Sequence, residues 1–140
     1  MSDSDWKNKI KGEVILIVDD EADILNIYEY HIKNQGFKVI RAMEPLSAMK
    51  MIEQNDIMLV ITDHRMPNLD GTNFCDLIKE RFPSIPVVII SGYANLVTNT
   101  SDTCQYSADL ILNKPVDFDQ FVDVVNSFAK KHYEKKKIAR

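Results

Sequence analysis

The sequence predicts an α/β fold, a doubly wound five-stranded parallel sheet with helices on both faces. Two observations carry this expectation. Short β-branched apolar runs alternate with longer stretches of helical period, the signature of repeated βα units. The runs are also continuous rather than alternating, as expected of strands covered on both sides.

In chain order, Val14-Ile15-Leu16-Ile17-Val18 is the first strand and stops at Asp19-Asp20-Glu21. Ile24, Ile27, Tyr28 and His31 then recur at helical spacing up to Gly36, a helix stop. Residues 37–40 form the second strand. Pro45 opens a helix with Leu46, Met49 and Ile52 on one face, proline being tolerated in a first turn. Ile57-Met58-Leu59-Val60-Ile61 is the third strand and ends at Thr62-Asp63. After Pro67-Asn68-Leu69-Asp70-Gly71, a helix turns Phe74, Leu77 and Ile78 inward. The fourth strand, Pro86-Val87-Val88-Ile89-Ile90, ends at Ser91-Gly92, and the fifth, Leu110-Ile111-Leu112, ends at Lys114-Pro115. The last helix carries Phe118, Phe121, Val122, Val125, Phe128 and Ala129 on one stripe. Residues 95–106, rich in Asn, Thr and Ser, predict a frayed or irregular helix, because these side chains compete for backbone hydrogen bonds.

The chain has 140 residues, 45% apolar and 27% charged, which suits one domain with a core that needs neither disulfide nor structural metal. We expect a polar lead over residues 1–11, the domain over residues 12–130, and a basic helix end or tail over residues 131–140. A net charge of −4 offers no general attraction to nucleic acid, so direct nucleic-acid binding is not expected. No apolar run approaches the roughly 20 residues that cross a bilayer, and residues 1–12 lack an apolar leader segment. Cys75 and Cys104 show no CxxC spacing; free thiols and a cytoplasmic setting follow as expectations.

Ligands of doubly wound sheets bind beyond the carboxyl ends of the strands, where strand order reverses. Asp19, Asp20, Asp63, Ser91 and Lys114 all stand at such ends and are expected to converge. Carboxylates gathered there repel by about 4 kcal/mol per pair at 4 Å in an effective dielectric of 20. A divalent cation relieves that repulsion, and Mg²⁺ prefers oxygen ligands. Metal, lysine and hydroxyl together cradle a phosphoryl group, and a carboxylate is a competent nucleophile toward phosphorus.

Four segments give this chemistry a family. Val18-Asp19-Asp20-Glu21, the run from Asp63 through His64-Arg65-Met66-Pro67 to Asp70-Gly71, Ile90-Ser91-Gly92-Tyr93-Ala94, and Lys114-Pro115 stand in order. The chain thereby resembles the receiver domain of two-component response regulators over roughly residues 12–130. The resemblance implies a flavodoxin-like sheet of order 2-1-3-4-5, Asp63 as phosphoacceptor, and Mg²⁺ as cofactor. Asp20 and Asp63 would ligate the ion with the backbone carbonyl of Arg65, and Asp19 would help through water. Ser91 would bond one phosphoryl oxygen and Lys114 another, and the Lys114-Pro115 bond is often cis in the family. Arg65 and Tyr93 would shield the acyl phosphate from water.

The implied partners are a histidine kinase or phosphotransfer protein as donor, a downstream effector protein, and a second copy in a phosphorylation-dependent homodimer. The implied output is a switched protein–protein face rather than turnover of a substrate. Ile111 departs from the family pattern, which has an aromatic ring three residues before the lysine. His64 is read as a solvent-exposed neutral histidine. Two alternatives remain at this point: a receiver-like module that binds partners without phosphorylation, and a Mg²⁺-dependent phosphohydrolase that forms an aspartyl phosphate.

Overall fold

A computed structural model describes residues 5–66, 71–92 and 108–138. Helix α1 (Asp5–Lys9) precedes β1 (Val14–Val18), α2 (Ala22–Asn34), β2 (Lys38–Ala42), α3 (Pro45–Gln54) and β3 (Ile57–Asp63). Helix α4 (Gly71–Arg81), β4 (Val87–Ser91), β5 (Leu110–Asn113) and α5 (Phe118–Ile138) complete the described chain. The five strands form one parallel sheet of order β2-β1-β3-β4-β5. The expected irregular helix over residues 95–106 lies outside the described residues.

Strand alternation sorts the core into two layers. Ile15, Ile17, Leu59, Ile61, Val88 and Ile90 face Leu25, Tyr28 and Ile32 of α2 and Phe121, Val125 and Ala129 of α5. Leu16, Val18, Val60, Val87 and Ile89 face Ala48, Met49 and Ile52 of α3 and Phe74, Cys75 and Ile78 of α4. The central strands β3 and β4 are buried along their whole length, which accounts for their unbroken apolar sequence.

The inward assignment of Leu77 needs correction, and Ile27 and Leu46, set on helical stripes by their spacing, also lie outside the core. Ile27 is 43% exposed, Leu46 75% and Leu77 40%. A helix lying on a sheet buries a narrow stripe, and apolar residues at its margin satisfy helical spacing without reaching the core. The true stripes run through Leu25, Ala48 and Cys75. Helix α2 ends near the expected stop: Gly36 has φ +97° and donates its N–H to the Lys33 carbonyl at 2.9 Å, the left-handed closure that glycine adopts without strain.

The N-terminal lead is more than polar. Ile10 is 2% exposed within the core, and Trp6 packs against the same cluster. Helix α5 in turn runs on beyond residue 130, with Tyr133 packed on that layer. Lys136 Nζ donates to Glu13 Oε1 at 2.6 Å, and His132 Nε2 stands 3.5 Å from Glu13 Oε2, too far for a good hydrogen bond. Among the described residues no helix is long and apolar enough to cross a membrane.

Candidate phosphoacceptor site at the carboxyl edge of the sheet

Strand register builds the site. Val18 pairs with Thr62, so the next residues along, Asp19 and Asp63, are neighbours on the side of the sheet covered by α2 and α5. Ser91 pairs with Asn113, which sets Lys114 one step beyond the end of β5. The Lys114–Pro115 peptide is cis. Lys114 Nζ donates to Asp63 Oδ1 at 2.8 Å, and its backbone N–H donates to the Ser91 carbonyl at 2.7 Å.

Asp19, Asp20 and Asp63 each offer a carboxylate oxygen, all within 4.8 Å of one another. Asp19 is buried and Asp20 exposed. Asp19 also fixes the entry to α2: its Oδ1 accepts the Glu21 N–H at 2.9 Å, an Asx turn. The N-cap position itself is Glu21, whose side chain makes no capping bond. Asp19 and Asp20 therefore do not serve as a simple helix cap.

The electrostatics are those of an acidic pocket short of positive charge. Burial pushes the Asp19 carboxyl up to about 6, with the charges of Asp63 and Asp20 adding to the rise while the Glu21 N–H and Lys114 oppose it. Burial alone would lower the Lys114 ammonium, but its hydrogen bond to Asp63 and the charges of Asp63, Asp19 and Glu21 hold it above the ordinary lysine range.

The carboxylates suit a small divalent ion. Mg²⁺ takes oxygen ligands at 2.0–2.1 Å, placing opposite ligands about 4.2 Å apart and often keeping some waters. That span is close to the envelope of the three carboxylates, and a second positive charge would offset the repulsion that raises Asp19. The residues fit the ion.

Beside the carboxylates is a cleft of about 150 Å³ lined by Asp63, His64, Arg65, Gly92 and Lys114. Its size suits a phosphoryl group rather than an extended substrate. A larger groove of about 890 Å³ lies at the opposite end of the strands, among Asp56, Ile57, Phe82, Asp109 and Phe128, away from the converging groups.

The structure thus brings together Asp19, Asp20, Asp63 and Lys114, and places Arg65 in the cleft wall. Ser91 is fully buried beside them, its Oγ 3.3 Å from His64 Nδ1. His64 is the residue that sequence reasoning misplaced: it is half-buried and lines the cleft. Tyr93 lies outside the described residues. Ile111, at the expected aromatic position, is half-buried against the layer of α3 and α4.

The model of the response regulator receiver domain family matches residues 15–126. The chain belongs to the response regulator receiver family. A putative NtrX-like response regulator of Rickettsia bellii (strain RML369-C) is 34% identical over 110 residues, 77% of this chain and 23% of that protein. The chain therefore spans about a quarter of the length of the curated relatives it matches. Among solved structures, NtrX from Brucella abortus superposes with TM-score 0.79 at 29% identity, covering 91% of this chain and 29% of that one. A response regulator receiver domain from Clostridium thermocellum gives 0.75 at 26% identity, covering 91% of this chain and 99% of that one. The receiver family is that of two-component phosphorelay signalling, and the phosphohydrolase alternative finds no support in these matches.

Proposed function

We propose that Asp63 accepts a phosphoryl group from the phosphohistidine of a histidine kinase or phosphotransfer protein. The Asp63 carboxylate oxygen bonds to phosphorus as the P–N bond of the donor breaks, and the departing imidazole nitrogen takes up a proton. The observation that carries this reading is the 2.8 Å pair of Lys114 Nζ and Asp63 Oδ1 beside the carboxylates of Asp19 and Asp20. Such transfer needs positioning and neutralisation of charge more than covalent help from the protein.

Asp20, Asp63 and the Arg65 carbonyl would hold Mg²⁺ directly, with Asp19 acting through water. When bound, the ion supplies neutralisation of charge on the transferring oxygens. Lys114 turns from Asp63 to one phosphoryl oxygen and Ser91 donates its hydroxyl to another. The added charge of about −1.5 to −2 then biases a surface that binds a downstream effector protein or a second phosphorylated copy. The domain works in signalling rather than in turnover of a substrate, in the cytoplasm and without direct contact to nucleic acid. Its working unit is residues 12–130, clasped by the lead and by the basic end of α5.

Incubation with Mg²⁺ and acetyl phosphate, followed by intact mass, tests the reading. One added phosphoryl group of about 80 Da is expected, and Asp63→Asn abolishes it. A modification that survives Asp63→Asn would overturn the assignment.

A further inference from the structure

His64 carries a contact that the acceptor chemistry does not use. Asp63 pairs with Ile90, so the next positions along, His64 and Ser91, are also neighbours. Their backbone pairing continues past the strand end, since the His64 N–H donates to the Ile90 carbonyl at 2.9 Å. Both side chains then fall on the face covered by α3 and α4, the face opposite that of Asp63. This places Nδ1 of His64 3.3 Å from Oγ of Ser91.

The Ser91 backbone is held tightly here, within β4 and by the Lys114 N–H on its carbonyl. Its hydroxyl, fully buried, can redirect its hydrogen bond only by rotation. We infer that His64 is a positioning residue for Ser91: in the resting state Nδ1 accepts the Ser91 hydroxyl, and it yields that hydroxyl when a phosphoryl group arrives on Asp63. The inference rests on the acceptor reading above. A phosphoryl oxygen is a charged acceptor and forms the stronger bond, so the exchange runs forward on phosphorylation. The contact to His64 nevertheless opposes it by one hydrogen bond, and so weights the two-state balance toward rest.

The test uses the full chain with Mg²⁺ and beryllofluoride as phosphoryl mimic, the bound fraction being read by ¹⁹F NMR. His64→Phe keeps the ring and removes Nδ1, and His64→Ala serves as a second variant. Both are expected to bind the mimic roughly three- to ten-fold more tightly, the range that one hydrogen bond provides. His64→Asn, which restores an acceptor near the same place, returns the affinity toward that of the wild type. In a Ser91→Ala background, His64→Phe has no effect. In the metal-free protein, the Ser91 Cβ resonance shifts in His64→Phe and recovers in His64→Asn.

An unchanged or weakened affinity in both His64→Phe and His64→Ala overturns the inference, as does an equal gain without Ser91. A wild-type protein that binds no beryllofluoride overturns the acceptor reading itself, a result distinct from a wild type that binds and a His64→Phe that merely matches it.

Discussion

Asp19 and Asp63 stand one residue beyond the paired ends of β1 and β3, side by side on the same face of the sheet. Their proximity gives metal-free stability a defined pH dependence. Burial, reinforced by Asp63, raises Asp19 from an ordinary 3.8 to about 6 in the folded state. The folded protein binds this proton more tightly than the unfolded chain, so the group's contribution is most favourable below pH 4. It is lost as pH rises through 6, on the order of 3 kcal/mol in all. Urea unfolding without metal, run from pH 4 to 8, should show this fall. Asp19→Asn should flatten it, raise metal-free stability at pH 7.5, and sharply reduce the stabilisation that millimolar Mg²⁺ gives the wild type.

Lys114 competes with a cation for Asp63, because its ammonium already occupies Oδ1 at 2.8 Å. Lys114→Met should therefore bind Mg²⁺ several-fold more tightly by calorimetry. The same variant should accept phosphate from acetyl phosphate at least about 10-fold more slowly, having lost a charge aimed at the transferring group. Tighter metal with slower transfer separates this account from general damage to the site.

Asp109 fastens the start of β4. Its Oδ2 accepts the Val87 N–H at 2.8 Å and pairs with Lys79 at 2.7 Å, while Lys79 also donates to the Ile85 carbonyl. Asp109→Ala leaves the amide of a fully buried residue without this acceptor and should cost about 1–3 kcal/mol in urea unfolding. Lys79→Ala should cost less, because the Asp109–Val87 bond survives it.

Removal of residues 1–11 tests whether the lead belongs to the folded unit. The deletion takes away Ile10, 2% exposed, and the Trp6 contact. It should lower stability by about 2–4 kcal/mol, the scale of losing a large buried side chain. Glu13→Ala should instead leave global stability nearly unchanged, since surface pairs contribute little. It should speed hydrogen exchange over residues 132–138, where Lys136 loses its anchor.

Strand identity and the converging acids were legible because each strand is an apolar run closed by a polar residue, whereas the sheet order followed from the resemblance to the receiver family. Asp19, Asp63, Ser91 and Lys114 needed only the rule that such sheets work at their carboxyl edge. Helix faces were less legible: spacing admits Ile27, Leu46 and Leu77 to an apolar stripe, but only packing shows that the sheet covers their neighbours. Ala48 and Cys75 are too small to stand out in a hydropathy pattern, yet both are fully buried. His64 escaped for a different reason. Its direction depends on the register of β3 against β4, a relation between distant segments that no local pattern records. Register also explains why Asp109, beside a half-buried Ala108, is more than a loop acid.

The two-layered core has a further consequence at the edge where Asp63 stands. One step along β3 turns the chain from the side of α2 and α5, where Asp63 points, to the side of α3 and α4, where His64 meets Ser91. The sheet is thus a partition with its gate at the rim: on the proposed reading, charge deposited on Asp63 in one compartment would be felt in the other through the Ser91 hydroxyl. Substitutions that loosen the packing of Phe74, Cys75 or Ile78 leave Asp63 itself unchanged, yet they should alter how long a phosphoryl group placed on it by acetyl phosphate is held.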